Sequence, residues 1–360
     1  MKKTLMLCLT VICLLAFSFQ VAFAAETPEN QLPNIKILAT GGTIAGAGAT
    51  STTTIGYTAA VMPVDALINN VPELRKVANV SGEQIAQIAS ENMTNKVWLK
   101  LAKRINELLA SDDVDGIVVT HGTDTIEETA YFLNLVVKSD KPVVIVGAMR
   151  PPTAMSADGP INLYNATILA GSKEAKGKGV LVCLNDTINS AREVTKTNTF
   201  MADTFRAPEL GYIGYVQGGK PAFYRESTRK HTTQSEFDIS ALNELPRVDI
   251  VYGYANNTRV GLDAFVDAGA KGIVHAGVGD GSLFTEVKEG LIDAQKKGVV
   301  IVRSSRVGNG IIARNGEAND DQLHFVASDT LNPQKARILL MLALTKTNDP
   351  TKIQEMFWEY

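Results

Sequence analysis

The sequence predicts an α/β fold: a larger N-terminal domain with a mainly parallel sheet flanked by helices, then a smaller C-terminal α/β domain. Three observations predict it. Short β-branched runs recur at 35–39, 117–120, 143–146, 180–184, 248–252, 273–276 and 299–302, and most are apolar at successive rather than alternate positions. A strand of that kind is covered on both faces, as in a parallel sheet. Helical spacing fills the gaps between runs, which is the rhythm of βαβ units. The rhythm breaks over 224–246, a polar stretch with Arg225, Arg229, Lys230 and His231 and no strand run, which reads as a linker.

In chain order, the first residues are a targeting segment. Lys2 and Lys3 precede an apolar run over 5–19, and Ala22-Phe23-Ala24 is a small-x-small cleavage site. Residues 1–24 read as a secretory signal peptide, because the run is short for a membrane span of roughly 20 residues. Residues 25–33 form a polar, flexible leader. Cleavage removes Cys8, Cys13 and two lysines, leaving 33 basic against 38 acidic residues and a charge of −5. Only Cys183 remains, inside a strand run, so no internal disulfide can support the exported chain.

Residues 34–223 make the N-terminal domain, 224–246 the linker and 247–360 the C-terminal domain. Val97, Leu101, Ile105 and Leu108 repeat at helical spacing, as does 126–135 after Glu127 and Glu128 in a first turn. Asn332-Pro333 is a cap followed by a first-turn proline, opening a helix through 336–344. The 360 residues are 45% hydrophobic and 20% charged, which rules out disorder, collagen, coiled coil and a polytopic membrane protein. The acidic balance leaves no basic excess for nucleic acid.

In open α/β sheets, ligands bind beyond the carboxyl ends of the strands. Those ends carry Thr40-Gly41-Gly42-Thr43-Ile44-Ala45-Gly46, His121-Gly122-Thr123-Asp124-Thr125, Gly147-Ala148-Met149-Arg150-Pro151, Gly277-Val278-Gly279-Asp280-Gly281-Ser282 and Arg303-Ser304-Ser305-Arg306. Small, polar loops at one sheet edge suit a small polar ligand. Thr43 follows two glycines, so backbone amides beside Gly42 and Thr123 are candidate oxyanion donors. A threonine hydroxyl needs a base. The histidines are His121, His231, His275 and His324, and no Gly-x-Ser-x-Gly occurs, which argues against a Ser-His-Asp triad. The bases left open are Tyr57, at the far end of a small-residue loop over 46–58, and Lys196 in a hydroxyl-rich stretch. No paired histidines or cysteines suggest a metal, and no cofactor is expected. Gly214-Tyr215-Val216-Gln217-Gly218-Gly219-Lys220 has P-loop spacing, but Pro221 replaces the magnesium-binding hydroxyl, so the segment reads as a β-turn.

Two of these loops together are specific. Thr40-Gly41-Gly42-Thr43-Ile44-Ala45 and Gly116-Ile117-Val118-Val119-Thr120-His121-Gly122-Thr123-Asp124-Thr125 resemble the two signatures of the bacterial L-asparaginases. The export signal points to the type II, periplasmic branch, which includes glutaminase-asparaginases. Ser90-Glu91-Asn92-Met93-Thr94, Ser156-Ala157-Asp158-Gly159-Pro160, Thr195-Lys196-Thr197-Asn198 and Leu331-Asn332-Pro333 extend the resemblance over nearly the whole mature chain. It implies hydrolysis of L-asparagine to L-aspartate and ammonia, with L-glutamine as a second substrate. By that resemblance Thr43 is the nucleophile and Tyr57 the lid tyrosine beside it. Thr123, Asp124 and Lys196 form the second catalytic group. Ser90 and Glu91 grip the α-carboxylate and α-amine, and ammonia leaves near the Ala148 carbonyl. Ser282 and Glu317 are supplied by a neighbouring subunit of a homotetramer made from two intimate dimers. Glu91 and Ser282 stand where some members have Gln and Asn, which implies appreciable glutaminase activity.

Each residue has a structural role that competes with the chemical one. Thr43 and Thr123 could cap helices, Asp124 could be a helix-start acid, and Lys196 could be a solvated surface lysine. Ser90-Glu91 could be a simple turn, and Glu317 lies in a polar loop. The competing function is a periplasmic amino-acid-binding protein without catalysis, which would share the export signal and the polar cleft. Ammonia release from L-asparagine separates the two.

Overall fold

The computed structural model describes residues 31–360, so the expected signal peptide and residues 25–30 of the expected leader lie outside the described residues. The first strand, β1 (Asn34–Gly41), forms because Ile35, Ile37, Leu38 and Ala39 are all buried, with neighbours on both of its faces. Helices α1 (Val64–Asn69) and α2 (Leu74–Val77) carry the chain to β2 (Asn79–Ile88), which pairs in parallel with one side of β1. Helix α3 (Asn95–Leu109) returns it to β3 (Gly116–Thr120), parallel to β1 on the other side. Then follow α4 (Ile126–Val136), β4 (Val143–Val146), α5 (Gly159–Ala170) and β5 (Val180–Leu184), again parallel.

The sheet is completed by antiparallel strands. These are β6 (Thr187–Ser190), β9 (Gly214–Gln217) and β10 (Lys220–Phe223), with β7 (Thr195–Lys196) and β8 (Phe205–Arg206) forming a separate two-stranded ribbon in between. The order is β10-β9-β6-β5-β4-β3-β1-β2. Alternate residues face opposite layers. Val118, Val144 and Val146 pack with α1, α2 and α5, whereas Ile117, Val119, Val143 and Ile145 pack with α3 and α4. The connection from β1 to β2 therefore runs on one face and that from β3 to β4 on the other. Between β1 and β3 the winding reverses, and their following loops diverge to leave a crevice.

The second sheet is wholly parallel, in the order β11 (Val248–Tyr252), β12 (Gly272–Gly277), β13 (Val300–Ser305), β14 (Val326–Ala327). Helices α6 (Val260–Asp267) and α7 (Thr285–Lys296) cover one face. Helix α8 (Asp320–Leu323) precedes β14. Helices α9 (Pro333–Ala343) and α10 (Pro350–Glu359) cover the other face. Ile338, Leu339, Leu340, Met341 and Leu342 are all fully buried, because α9 lies between this sheet and α4. One apolar cluster thus joins both sheets. The stretch 224–246 holds no strand and one 3-10 turn, Thr232–Gln234, and its Phe237, Ile239 and Leu245 sit in that same cluster.

Several elements differ from the expectation. Strand β13 runs on to Ser305, so Arg303, Ser304 and Ser305 belong to the strand and not to a loop at the sheet edge. Arg303 is fully buried in a bidentate pair with Asp320 (2.6 and 2.7 Å) and does not line the cavity described below. Strand β2 (NVSGEQIAQI) was not foreseen. It is an edge strand, solvated enough to need no apolar run. The segment of P-loop spacing is the β9–β10 hairpin, with Gly218 and Gly219 at φ 58° and 73°, as a two-residue hairpin turn requires. Among the described residues no helix is long and apolar enough to cross a membrane.

Candidate active site

The crevice between β1 and β3 is built by backbone packing. After β1 the chain turns at Gly42 with φ 82° and ψ −171°, a region essentially reserved for glycine. A Cβ there would lie 2.2 Å from the Cα of Gly122, so the loops after β1 and β3 touch main chain to main chain. That contact places Thr43 beside Thr123. Thr43 opens a single 3-10 turn, Thr43–Ala45, and is 7% exposed. The segment 46–58 leaves and returns through a bridge between Ala47 and Thr58, with N–H···O distances of 2.8 and 3.0 Å. This closure brings Tyr57 back over the strand end, and its Oη lies 2.8 Å from Thr43 Oγ1. The outer part of the loop is tied to the next one by Gly48 N–H to Thr153 Oγ1 and Met155 N–H to Ser51 O, both 2.7 Å.

Thr123 is 6% exposed, and its hydroxyl accepts a hydrogen bond from Lys196 Nζ at 3.0 Å. The same ammonium donates to Asp124 Oδ1 at 2.6 Å. Lys196 comes from β7, which lies outside the main sheet. Ser90, buried in the turn after β2, accepts from the Asp124 N–H at 3.2 Å, and its carbonyl accepts from Thr125 Oγ1 at 2.8 Å. Glu91 follows it, exposed. A cavity of about 420 Å³ is lined by Thr43, Tyr57, Ser90, Glu91, Thr123, Asp124 and Lys196 together.

Sequence reasoning missed other walls of this cavity, namely Ile55, Met149, Thr199 and Phe200. Thr199 and Phe200 follow Lys196 in an Asx-type turn, where Asn198 Oδ1 accepts from the N–H groups of Phe200 and Met201 at 2.8 and 2.9 Å. Ala148 is fully buried at the end of β4, one residue before Met149, and does not line the cavity. Ser282 and Glu317 do not line it within one chain either. Ser282 closes a turn onto Val278 O at 2.8 Å, and Glu317 is exposed after β13. The Gly42 amide, an expected oxyanion donor, is committed to Ile88 O at 3.0 Å, leaving those of Thr43 and Thr123 as candidates.

His121, beside the site, is a core residue. Its Nδ1 lies 2.7 Å from Gly122 O, which can only accept, so Nδ1 carries the proton. Nε2 then accepts from Thr129 Oγ1 at 2.8 Å, and Thr129 accepts from Trp98 Nε1 at 2.8 Å. Burial pushes its pKa down to about 4, opposed by the Gly122 bond, so the ring stays neutral. Among the described residues no group of three His, Cys, Asp or Glu side chains is placed to hold a metal ion.

Two family descriptions cover the chain: "Asparaginase, N-terminal" over residues 34–229 and "Glutaminase/Asparaginase C-terminal domain" over 247–357. The chain is 61% identical to L-asparaginase 2 of Bacillus subtilis, over 95% of this chain and 90% of that protein. It is 53% identical to a glutaminase-asparaginase of Pseudomonas fluorescens, over 95% of each. Its fold resembles the crystal structure of a probable cytoplasmic L-asparaginase from Campylobacter jejuni. The TM-score is 0.89 at 53% identity, covering 91% of this chain and all of the other. With both domains matched and the two threonine loops meeting in one crevice, the chain belongs to the family of bacterial L-asparaginases and glutaminase-asparaginases.

Proposed function

We propose that this chain is an exported, periplasmic amidohydrolase. It converts L-asparagine to L-aspartate and ammonia through an acyl-enzyme on Thr43, turns over L-glutamine appreciably, and works as a homotetramer of two intimate dimers. The observation that carries the reading is the 2.8 Å contact of Thr43 with Tyr57 in a cavity shared with Thr123, which Lys196 touches at 3.0 Å.

The substrate is a zwitterion with a side-chain amide. The Ser90 hydroxyl accepts from Asp124 N–H, so its own proton is free for the α-carboxylate. Asp124 and Glu91 offer carboxylates to the α-ammonium, and Glu317 of a neighbouring subunit adds another. Held at that end, the amide carbon meets Thr43 Oγ1. Thr43 attacks, its proton passing to Tyr57 or a water, and the N–H groups of Thr43 and Thr123 stabilise the oxyanion. The C–N bond breaks as the nitrogen takes up that same proton from Tyr57 or the water and leaves as ammonia. Water then attacks the Thr43 ester, its proton relayed by the Thr123 hydroxyl that Lys196 holds, and Thr43 Oγ1 takes up a proton as the ester C–O bond breaks, releasing the acid and restoring the hydroxyl. Lys196, matched by Asp124, lowers the cost of negative charge on Thr123 Oγ1. The 46–58 segment excludes bulk water.

The test combines ammonia release from L-asparagine and L-glutamine with labelling by a reactive amino-acid analogue. We expect ammonia from both substrates, an adduct on Thr43, and a Thr43→Ala variant that binds substrate while turnover falls by about four orders of magnitude or more. Stoichiometric binding of L-asparagine without ammonia would favour an amino-acid-binding protein instead.

A further inference from the structure

Lys196 reaches the site from a two-residue strand that the main sheet does not hold, yet its ammonium must stay on Thr123 and Asp124. The residue before it, Thr195, donates its hydroxyl to Glu127 Oε1 at 3.1 Å. Glu127 is 5% exposed, in the first turn of α4, three residues beyond Asp124. Its other partners come from the far end of the chain. Asn332 Nδ2 donates to Oε2 at 2.9 Å and Gln334 Nε2 to Oε1 at 3.3 Å. Asn332 also caps α9, its Oδ1 accepting from Lys335 N–H at 3.1 Å. Lys335, 2% exposed, turns its ammonium onto the carbonyls of Arg192 (2.7 Å) and Val194, immediately before β7.

We propose that Glu127 and Lys335 are positioning residues, a buried carboxylate and a buried ammonium that clamp the segment 192–196 and so keep Lys196 on Thr123. The proposal rests on the reading of Lys196 and Thr123 as a catalytic pair. The physical case is the placement of the charges. Two ionised groups are desolvated, which brings little net stability over an apolar filling. Apart from the Gln334 amide, the contacts named here join these two groups to the few residues that carry Lys196 or to the cap that aligns Lys335. Adjacent residues of a strand are fixed together, so pinning Thr195 and the 192 and 194 carbonyls pins the stem of Lys196. The first turn of α9, in the C-terminal part of the chain, thereby aims a group of the N-terminal sheet's site.

The test uses the full mature enzyme with Glu127→Gln, Lys335→Met, Thr195→Val and Thr195→Ser, and repeats Glu127→Gln and Thr195→Val in a Lys196→Met background. Glu127→Gln, Lys335→Met and Thr195→Val are expected to lower kcat by about 10- to 100-fold with KM changed less than about threefold. Thr195→Ser keeps the hydroxyl and restores kcat to within about threefold. Added to Lys196→Met, Glu127→Gln and Thr195→Val should cost nothing more, because the group they position is gone. A native kcat in both Glu127→Gln and Thr195→Val overturns the proposal, as does a full additional loss in the Lys196→Met background. A native kcat in Lys196→Met alone overturns the catalytic reading itself, and the proposal with it. Thr195→Val is nearly isosteric and keeps the test decisive if Glu127→Gln fails to fold.

Discussion

Replacing Gly42 by alanine tests the idea that the site exists because two loops touch main chain to main chain. The added methyl would sit 2.2 Å from Gly122 Cα and 2.3 Å from Gly122 N, where ordinary contact begins at 3.4 Å. The loops after β1 and β3 must part by about 1.2 Å, the difference between those distances. The neighbour is backbone, so no rotamer can relieve it. The φ of 82° with ψ −171° adds a conformational penalty of about 1–3 kcal/mol, and overpacking about as much again. Over some 330 folded residues, a loss of roughly 2–6 kcal/mol lowers Tm by about 3–9 °C. Activity should fall further than stability, because a displacement near 1 Å between Thr43 and Thr123 costs about 10²-fold in rate. The control is Gly177→Ala, with a φ of 73° but nothing within 4 Å of the new methyl, and far from the site. It should lose about 1–2 kcal/mol and keep its rate. Ammonia release and thermal melts on both variants decide the matter. Gly42→Ala with a rate near that of the parent protein would show that the loop contact does not set the geometry.

Other consequences can be checked in the same way. Tyr57→Phe keeps the ring and removes the hydroxyl on Thr43, so kcat should drop by about 10²- to 10³-fold with a smaller change in KM, and an unchanged kcat would exclude Tyr57 from proton transfer. Glu317→Ala should impair turnover although Glu317 does not line the cavity of its own chain, and mixing Glu317→Ala with Thr43→Ala subunits should restore part of the activity. No recovery on mixing would count against a shared site. Burial holds His121 and His275 neutral with pKa near 4, and the Arg303 charge adds to the effect at His275. The unfolded chain therefore takes up the extra protons as pH falls from 6.5 to 4, and each ring withdraws up to about 3 kcal/mol of stability across that window. Burial raises Glu128 to about 7 against the pull of Arg337, which has the opposite sign: its contribution falls as pH rises from 4.5 to 7. Glu128→Gln should therefore raise Tm more at pH 8 than at pH 5, and equal shifts at both would refute this.

Much of the architecture was legible because a doubly covered strand must be apolar at every position. The runs of β1, β3, β4, β5 and β12 fall where they were read. The edge strand β2 was not legible, since an edge facing water needs no apolar signature. Nor was the end of β13, where Arg303 looks like a loop residue until Asp320 neutralises it inside the core. The short loops containing Thr43 and Thr123 were identifiable as small polar segments after buried strand runs, whereas Ser90, which follows the unforeseen β2, was reached only through the resemblance. Ile55, Met149, Thr199 and Phe200 were not identifiable, because an apolar or hydroxyl side chain on a loop carries no mark of the cavity it faces.

By itself the sequence determined the local chemistry. It set which strands could be buried, which turns needed glycine, which hydroxyls stood at strand ends, and that no histidine or serine stood in a nucleophile-elbow pattern. Tertiary structure alone decided who meets whom. Thr43 and Thr123 are eighty residues apart and adjacent only because β1 and β3 pair in register. Lys196 reaches Thr123 from outside the main sheet, held by Glu127 and by the first turn of a helix from the other end of the chain. The physical reason is that strand and helix preferences act over a few residues. Contacts such as these depend on strand order, sheet winding and the burial of paired charges, which take effect only when the whole chain has packed.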